Sequence, residues 1–160
     1  MLAICKWLEQ TWVGSSVRES LWLFPAIETV HLLGMAALVG TITVFDLRLL
    51  GWMMPQERVS ALARRLLPWT WAGFALQVAT GVMLFLSEAA KVYTNPAFRL
   101  KMLLIAFAGL HALFFHKFVY RNVATWDDGT VLPMSARVSG FVSILLWLGV
   151  VAAGRFIGFV

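Results

Sequence analysis

A chain of 160 residues that is 61% hydrophobic and only 13% charged is too apolar for an ordinary soluble domain, whose apolar share is about 45–50%. Its one cysteine, Cys5, excludes an internal disulfide, a CxxCH attachment site for c-type haem and a thiolate-held iron–sulfur cluster. The net charge of +5 would suggest an acidic partner in a soluble protein, but the basic residues gather at the ends of apolar stretches, where they face lipid headgroups, and no nucleic-acid signal accompanies them.

Four stretches, about residues 21–50, 69–88, 98–119 and 138–160, reach the roughly 20 apolar residues that a bilayer crossing needs. Residues 1–160 therefore read as a single all-α transmembrane domain, an up-down four-helix bundle. Lys6, Glu9, Arg18 and Glu19 interrupt the first twenty residues, so no cleaved signal is expected. Residues 1–13 fit a short interfacial helix, with Leu2, Ile4, Trp7, Leu8 and Trp12 dipping into the headgroup layer. Ser16-Val17-Arg18-Glu19 matches a capping box, which starts helix one at 16 and runs it to about 51 with a kink at Pro25. An amphipathic linker over 55–67 carries Arg58, Arg64 and Arg65 into helix two, 68–89, which opens at Pro68. Asn95-Pro96 pairs a capping side chain with a proline at the first helical position and opens helix three, 96–120. Asp127-Asp128-Gly129 signals a turn, and Pro133 precedes helix four, 134–159.

An even number of crossings puts both termini on one side. The side of the first and third loops holds seven basic residues, Arg48, Arg58, Arg64, Arg65, Lys117, Arg121 and Arg137, against six on the terminal side, Lys6, Arg18, Lys91, Arg99, Lys101 and Arg155. This small excess, with the cluster around the first loop, assigns the first and third loops to the cytoplasm and the termini to the periplasm. Most of the tryptophans, among them Trp22, Trp52, Trp69 and Trp126, fall at helix ends as an aromatic belt.

Two of the three histidines, His31 and His111, lie deep in apolar stretches. Each is 15 residues beyond its helix start, Ser16 or Pro96, which predicts equal depth on two helices that sit diagonally across the bundle. Two imidazoles at one level are what axial ligation of one haem b requires, with the iron as the metal held by His31 and His111. Alternatively, each is a neutral histidine bonded to a neighbouring hydroxyl or carbonyl. A planar guest would find glycines nearby: Gly34 beside His31, Gly73 and Gly81 with Gln77 on helix two, Phe115 beside His111, and Ser143 and Trp147 on helix four. Glycines also serve plain helix packing in membranes. His116, five residues past His111, points about 140° away and reads as interfacial. Glu28, one turn before His31, is the candidate catalytic residue, as an orienting partner of the imidazole or a proton acceptor for quinol, and otherwise bonds to backbone freed by Pro25. Arg18, Arg99, Lys101 and Arg155 are candidate cations for haem propionates, with interfacial snorkelling as their default role.

The run Arg18-Glu19-Ser20-Leu21-Trp22-Leu23-Phe24-Pro25, followed by Glu28-Thr29-Val30-His31-Leu32-Leu33-Gly34 and Asp46-Leu47-Arg48-Leu49-Leu50-Gly51, resembles the first-helix signature of a bacterial family of small four-helix inner-membrane proteins of unknown function. A fainter similarity is to membrane b-type cytochromes and CopD-like copper-resistance domains. Together these expectations describe a bacterial inner-membrane b-type cytochrome with one haem b, passing single electrons between quinol and a protein redox partner. The alternatives are a non-catalytic anchor or accessory subunit of a larger membrane complex, and a metal or small-solute transport module using His31, Met35 and His111.

Overall fold

The computed structural model describes residues 2–127 and 132–159. Within them the protein is all-α, with four helices long and apolar enough to cross a membrane. In chain order these are α1 (Leu2–Glu9), α2 (Trp12–Glu19), α3 (Leu23–Leu50), α4 (Val59–Ser87), α5 (Ala89–Thr94), α6 (Pro96–Phe114) and α7 (Met134–Phe156). A π-helical turn, Phe115–Val119, and a 3-10 segment, Tyr120–Thr125, extend α6. Large apolar side chains such as Leu33, Trp71, Leu110, Leu113 and Leu148 are exposed along the outside, as a lipid-facing surface requires.

The first long helix begins at Leu23 and not at Ser16. Ser16 belongs to the separate helix α2, which Thr11 caps by accepting from the Gly14 amide, and the chain then turns extended at Ser20 (φ −86°, ψ 122°). The Ser20 hydroxyl accepts from the Leu23 amide at 3.2 Å and so helps start α3. The N-terminal segment is thus two short helices, packed on the end of α4 and on α5. Glu9 accepts from the Ala90 amide at 2.8 Å, and a Cβ on Gly14 would stand 2.7 Å from the Leu86 carbonyl oxygen, so only glycine allows this approach.

The second long helix starts at Val59, nine residues before Pro68, which lies inside it. Much of the expected linker is therefore helix. Gly51 ends α3 in the left-handed conformation (φ 79°), its amide bonded to the Arg48 carbonyl and the Trp52 amide to Leu47. Asn95 caps α6 through the Ala97 and Phe98 amides, as the Asn-Pro pair predicts. Asp128 and Gly129 of the expected turn lie outside the described residues.

α3 packs against both α4 and α7, and α6 packs against α7, which leaves α3 and α6 on opposite corners. The corner between α4 and α6 is joined at the terminal end, where Phe85 and Phe98 stack at 5.5 Å. On the loop end a small core of Leu49, Val59, Val119, Leu132 and Ala136 closes the bundle, with Phe45, Phe115, Val123 and Trp126 around it. Both chain ends meet the α5–α6 connection on one side: Glu9 through Ala90, and the last helix through the Asn95 amide group, which donates to the Ile157 carbonyl at 3.1 Å.

Candidate functional site

Polar side chains inside the bundle fall at two depths. Phe45 on α3 meets Phe115 edge-on, with ring centroids 6.1 Å apart. Counting back about 14 residues along the two parallel helices sets His31 opposite Lys101, while His111 stands opposite Thr41. The imidazoles are thus about ten residues, or roughly 15 Å, apart in depth. The expectation of equal depth took Ser16 as the start of helix one, and that start is false.

At the first level, nearer the termini, His31 turns toward α4. Its Nδ1 lies 2.8 Å from the Thr80 hydroxyl, and that hydroxyl in turn donates to the Leu76 carbonyl at 2.6 Å. A hydroxyl has one proton to give, so Thr80 accepts here and His31 Nδ1 donates. The tautomer is thereby fixed, and Nε2 keeps its lone pair with no hydrogen-bond partner among the described residues. Gln77 donates to the His31 backbone carbonyl. A Cβ on Gly81 would stand 3.3 Å from His31 Cε1, so this glycine makes room for the ring. Lys101, half-buried at the same level, forms no hydrogen bond or ion pair among the described residues and lies against Gly154 of α7, where a Cβ would stand 3.4 Å from Nζ.

At the second level His111 turns to α7, its Nε2 3.1 Å from the Ser139 hydroxyl. One turn further along α7, past the Gly140 against which the Asp46 backbone of α3 packs, is buried Ser143. Asp46 is only 4% exposed, and its Oδ2 has no hydrogen-bond partner among the described residues. The Thr70 hydroxyl donates to that of Thr41 at 2.9 Å beside this level. Closely packed glycines separate the two levels: a Cβ on Gly73 would come within 2.8 Å of the Leu38 amide and 3.1 Å of the Gly34 carbonyl.

The expected site therefore divides. His31, Gly34, Gly73, Gln77 and Gly81 come together along the α3–α4 seam, whereas His111 and Ser143 face the α7 seam. Gly34 and Gly73 are filled by the facing helix and form no open cradle. Phe115 belongs to the loop-side core, Trp147 is half-buried on α7, and exposed Arg155 lies over the Phe159 ring at 5.4 Å. Glu28 is exposed and makes no hydrogen bond or ion pair among the described residues, so it bonds neither to His31 nor to backbone near Pro25. His116 is exposed and stacks on Tyr120 at 5.0 Å.

One haem ligated by both histidines does not fit this arrangement. The imidazoles differ in depth, His111 Nε2 faces Ser139, and the glycines are occupied. His31 alone has the donor set that ligation needs, an imidazole oriented by Nδ1–H with Nε2 open. Among the described residues no three His, Cys, Asp or Glu side chains form a group able to hold a metal ion.

The chain belongs to a family of unknown function, DUF6644, whose model matches residues 5–160. Neither a curated protein nor a solved structure matches it.

Proposed function

We propose that the protein is a membrane electron-transfer subunit that binds a quinol or quinone head group at His31 and Lys101, in the leaflet nearer its termini, and delivers electrons to a one-electron carrier on a protein partner. One observation carries this reading: the fixed His31 tautomer leaves the Nε2 lone pair open, level with an ammonium that has no partner among the described residues. Ionisable side chains inside a bilayer are costly and mark ligand, ion or proton sites. A quinol hydroxyl donates to a lone pair of this kind, and a quinone carbonyl accepts from an ammonium, so the pair suits both ends of one redox couple. The depth also suits a lipid-soluble ring.

The fainter likeness to membrane b-type cytochromes is in keeping with redox work. A haem b held through His31 Nε2 alone would draw on the same lone pair, with Lys101 as a partner for a propionate. The arginines between α3 and the middle of α4 favour a periplasmic position for the termini in a bacterial inner membrane.

A second reading, a non-catalytic accessory subunit, is favoured by Glu28, a carboxylate exposed near one end of a membrane span with no partner among the described residues. Titration of the chain in lipid nanodiscs with a short-chain quinone, followed by tryptophan quenching, separates the readings. Saturable binding that weakens at least about tenfold (about 1.4 kcal/mol) in both His31→Ala and Lys101→Met supports the quinone site. Unsaturable quenching that neither variant changes supports the accessory role. A haem spectrum in the purified protein that only His31→Ala removes would transfer the site from quinone to haem.

A further inference from the structure

We propose that Asp46 is a proton-binding carboxyl group that exchanges its proton with His111 by way of Ser143 and Ser139, in the leaflet opposite the His31 site. The inference is independent of the quinone reading and rests on other residues.

Asp46 sits four residues before the end of a membrane span, nine-tenths and more buried, with one oxygen that has no hydrogen-bond partner among the described residues. An ionised carboxylate in such a place needs a cation or several donors, and a protonated one does not. The donors on hand are few. α7 brings buried Ser143 to this side of the bundle, three residues past Gly140, which admits the Asp46 backbone at a distance that a Cβ would reduce to 2.9 Å. On α3 itself the guanidinium of Arg48 is spent on the loop, donating to the Glu57 carbonyl at 2.8 Å and the Pro55 carbonyl at 3.4 Å. Arg137 of α7 is exposed, and Arg65 of α4 pairs with Glu57 at 3.8 Å. On the α6 extension, His116 and Lys117 are exposed. No cation forms an ion pair with Asp46 among the described residues, which leaves His111, reached through α7, as the basic group on its line.

Ser139 and Ser143 are four residues apart on one helix face, so their Cβ atoms are about 5–6 Å apart. That gap is too long for a direct hydroxyl pair and suits one bridging water. Transfer balances simply. The Asp46 carboxylic acid gives its proton to Ser143, each hydroxyl and the water passes on its own proton, and His111 gains one at its ring, leaving a carboxylate and an imidazolium. The return restores both neutral groups. The tight packing of Gly34, Leu38 and Gly73 separates this line from His31.

Infrared difference spectroscopy of the full chain in lipid, in H2O and D2O, tests the proposal. The wild type is expected to show a protonated carboxyl band that shifts in D2O and vanishes in the near-isosteric Asp46→Asn. Ser139→Ala should keep the band while slowing its isotope exchange at least about tenfold. Asp46→Glu, a second carboxyl, should restore a band if Asn folds poorly. A wild-type spectrum in which Asp46→Asn removes no band, or exchange that is as fast in Ser139→Ala, overturns it.

Discussion

The glycines of this protein separate by what stands opposite them. A methyl group at Gly73 would drive into backbone atoms of α3, 2.8 Å from the Leu38 amide, and backbone cannot swing aside. Gly73→Ala is therefore expected to destabilise the folded chain by about 1–3 kcal/mol in a detergent-unfolding titration. Gly40 meets nothing within 4 Å on the same helix, so Gly40→Ala should be neutral or stabilise by up to about 1 kcal/mol. Thr80 carries a different kind of test. It holds the His31 ring but, on our reading, touches no ligand, so Thr80→Val should leave the fold intact and weaken quinone binding severalfold while Thr80→Ser restores it. Equal loss in both variants would show that the hydroxyl does not orient the ring.

At the scale of elements, the start of α4 depends on a residue far along the chain. Arg58 supplies no side-chain cap, and Asp127 takes that place: Oδ1 accepts from the Ser60 amide at 2.9 Å and Oδ2 from the Ser60 hydroxyl. Burial by itself would raise the Asp127 carboxyl, but these bonds, the Arg58 charge and the Val59 amide together hold it below its ordinary value. A carboxyl whose folded value is depressed stabilises the fold above its unfolded value, near pH 4, and this contribution is lost as pH falls through the lower folded value. Asp127→Asn should thus cost about 1 kcal/mol at pH 7, the usual worth of a helix cap, and almost nothing at pH 2. Melting of both proteins across that range checks it, and a gap that does not shrink in acid would count against the cap.

The molecule as a whole presents both chain ends and the α5–α6 connection on one side. In a Cys5→Ser background, single cysteines at Met54 and Lys91 should label from opposite faces of the membrane, with Met54 on the cytoplasmic face beside the arginine cluster. Labelling of both from one face would refute the topology. The number of spans, their up-down order and the Asn95 cap were legible because hydrophobic length and local capping are written in neighbouring residues. The depth of His31 was not. A capping-box match at Ser16 competes with the extended break at Ser20, and only the docking of α2 on α4 decides between them. Likewise nothing local shows that Asp127 bonds Ser60 or that Ser139 meets His111, since those partners are 67 and 28 residues apart. The serine pair Ser139 and Ser143, one turn apart in the mostly apolar α7, was the available signal for the second polar level.

The central claim is that His31 and His111 lie at different depths and share no ligand. Reduced-minus-oxidised absorption of the purified chain after expression with ample haem, in wild type, His31→Ala and His111→Ala, addresses it most directly. His111→Ala is expected to leave the spectrum of the wild type unchanged, with or without haem bands. A low-spin six-coordinate haem signal in the wild type that each single replacement abolishes would contradict it.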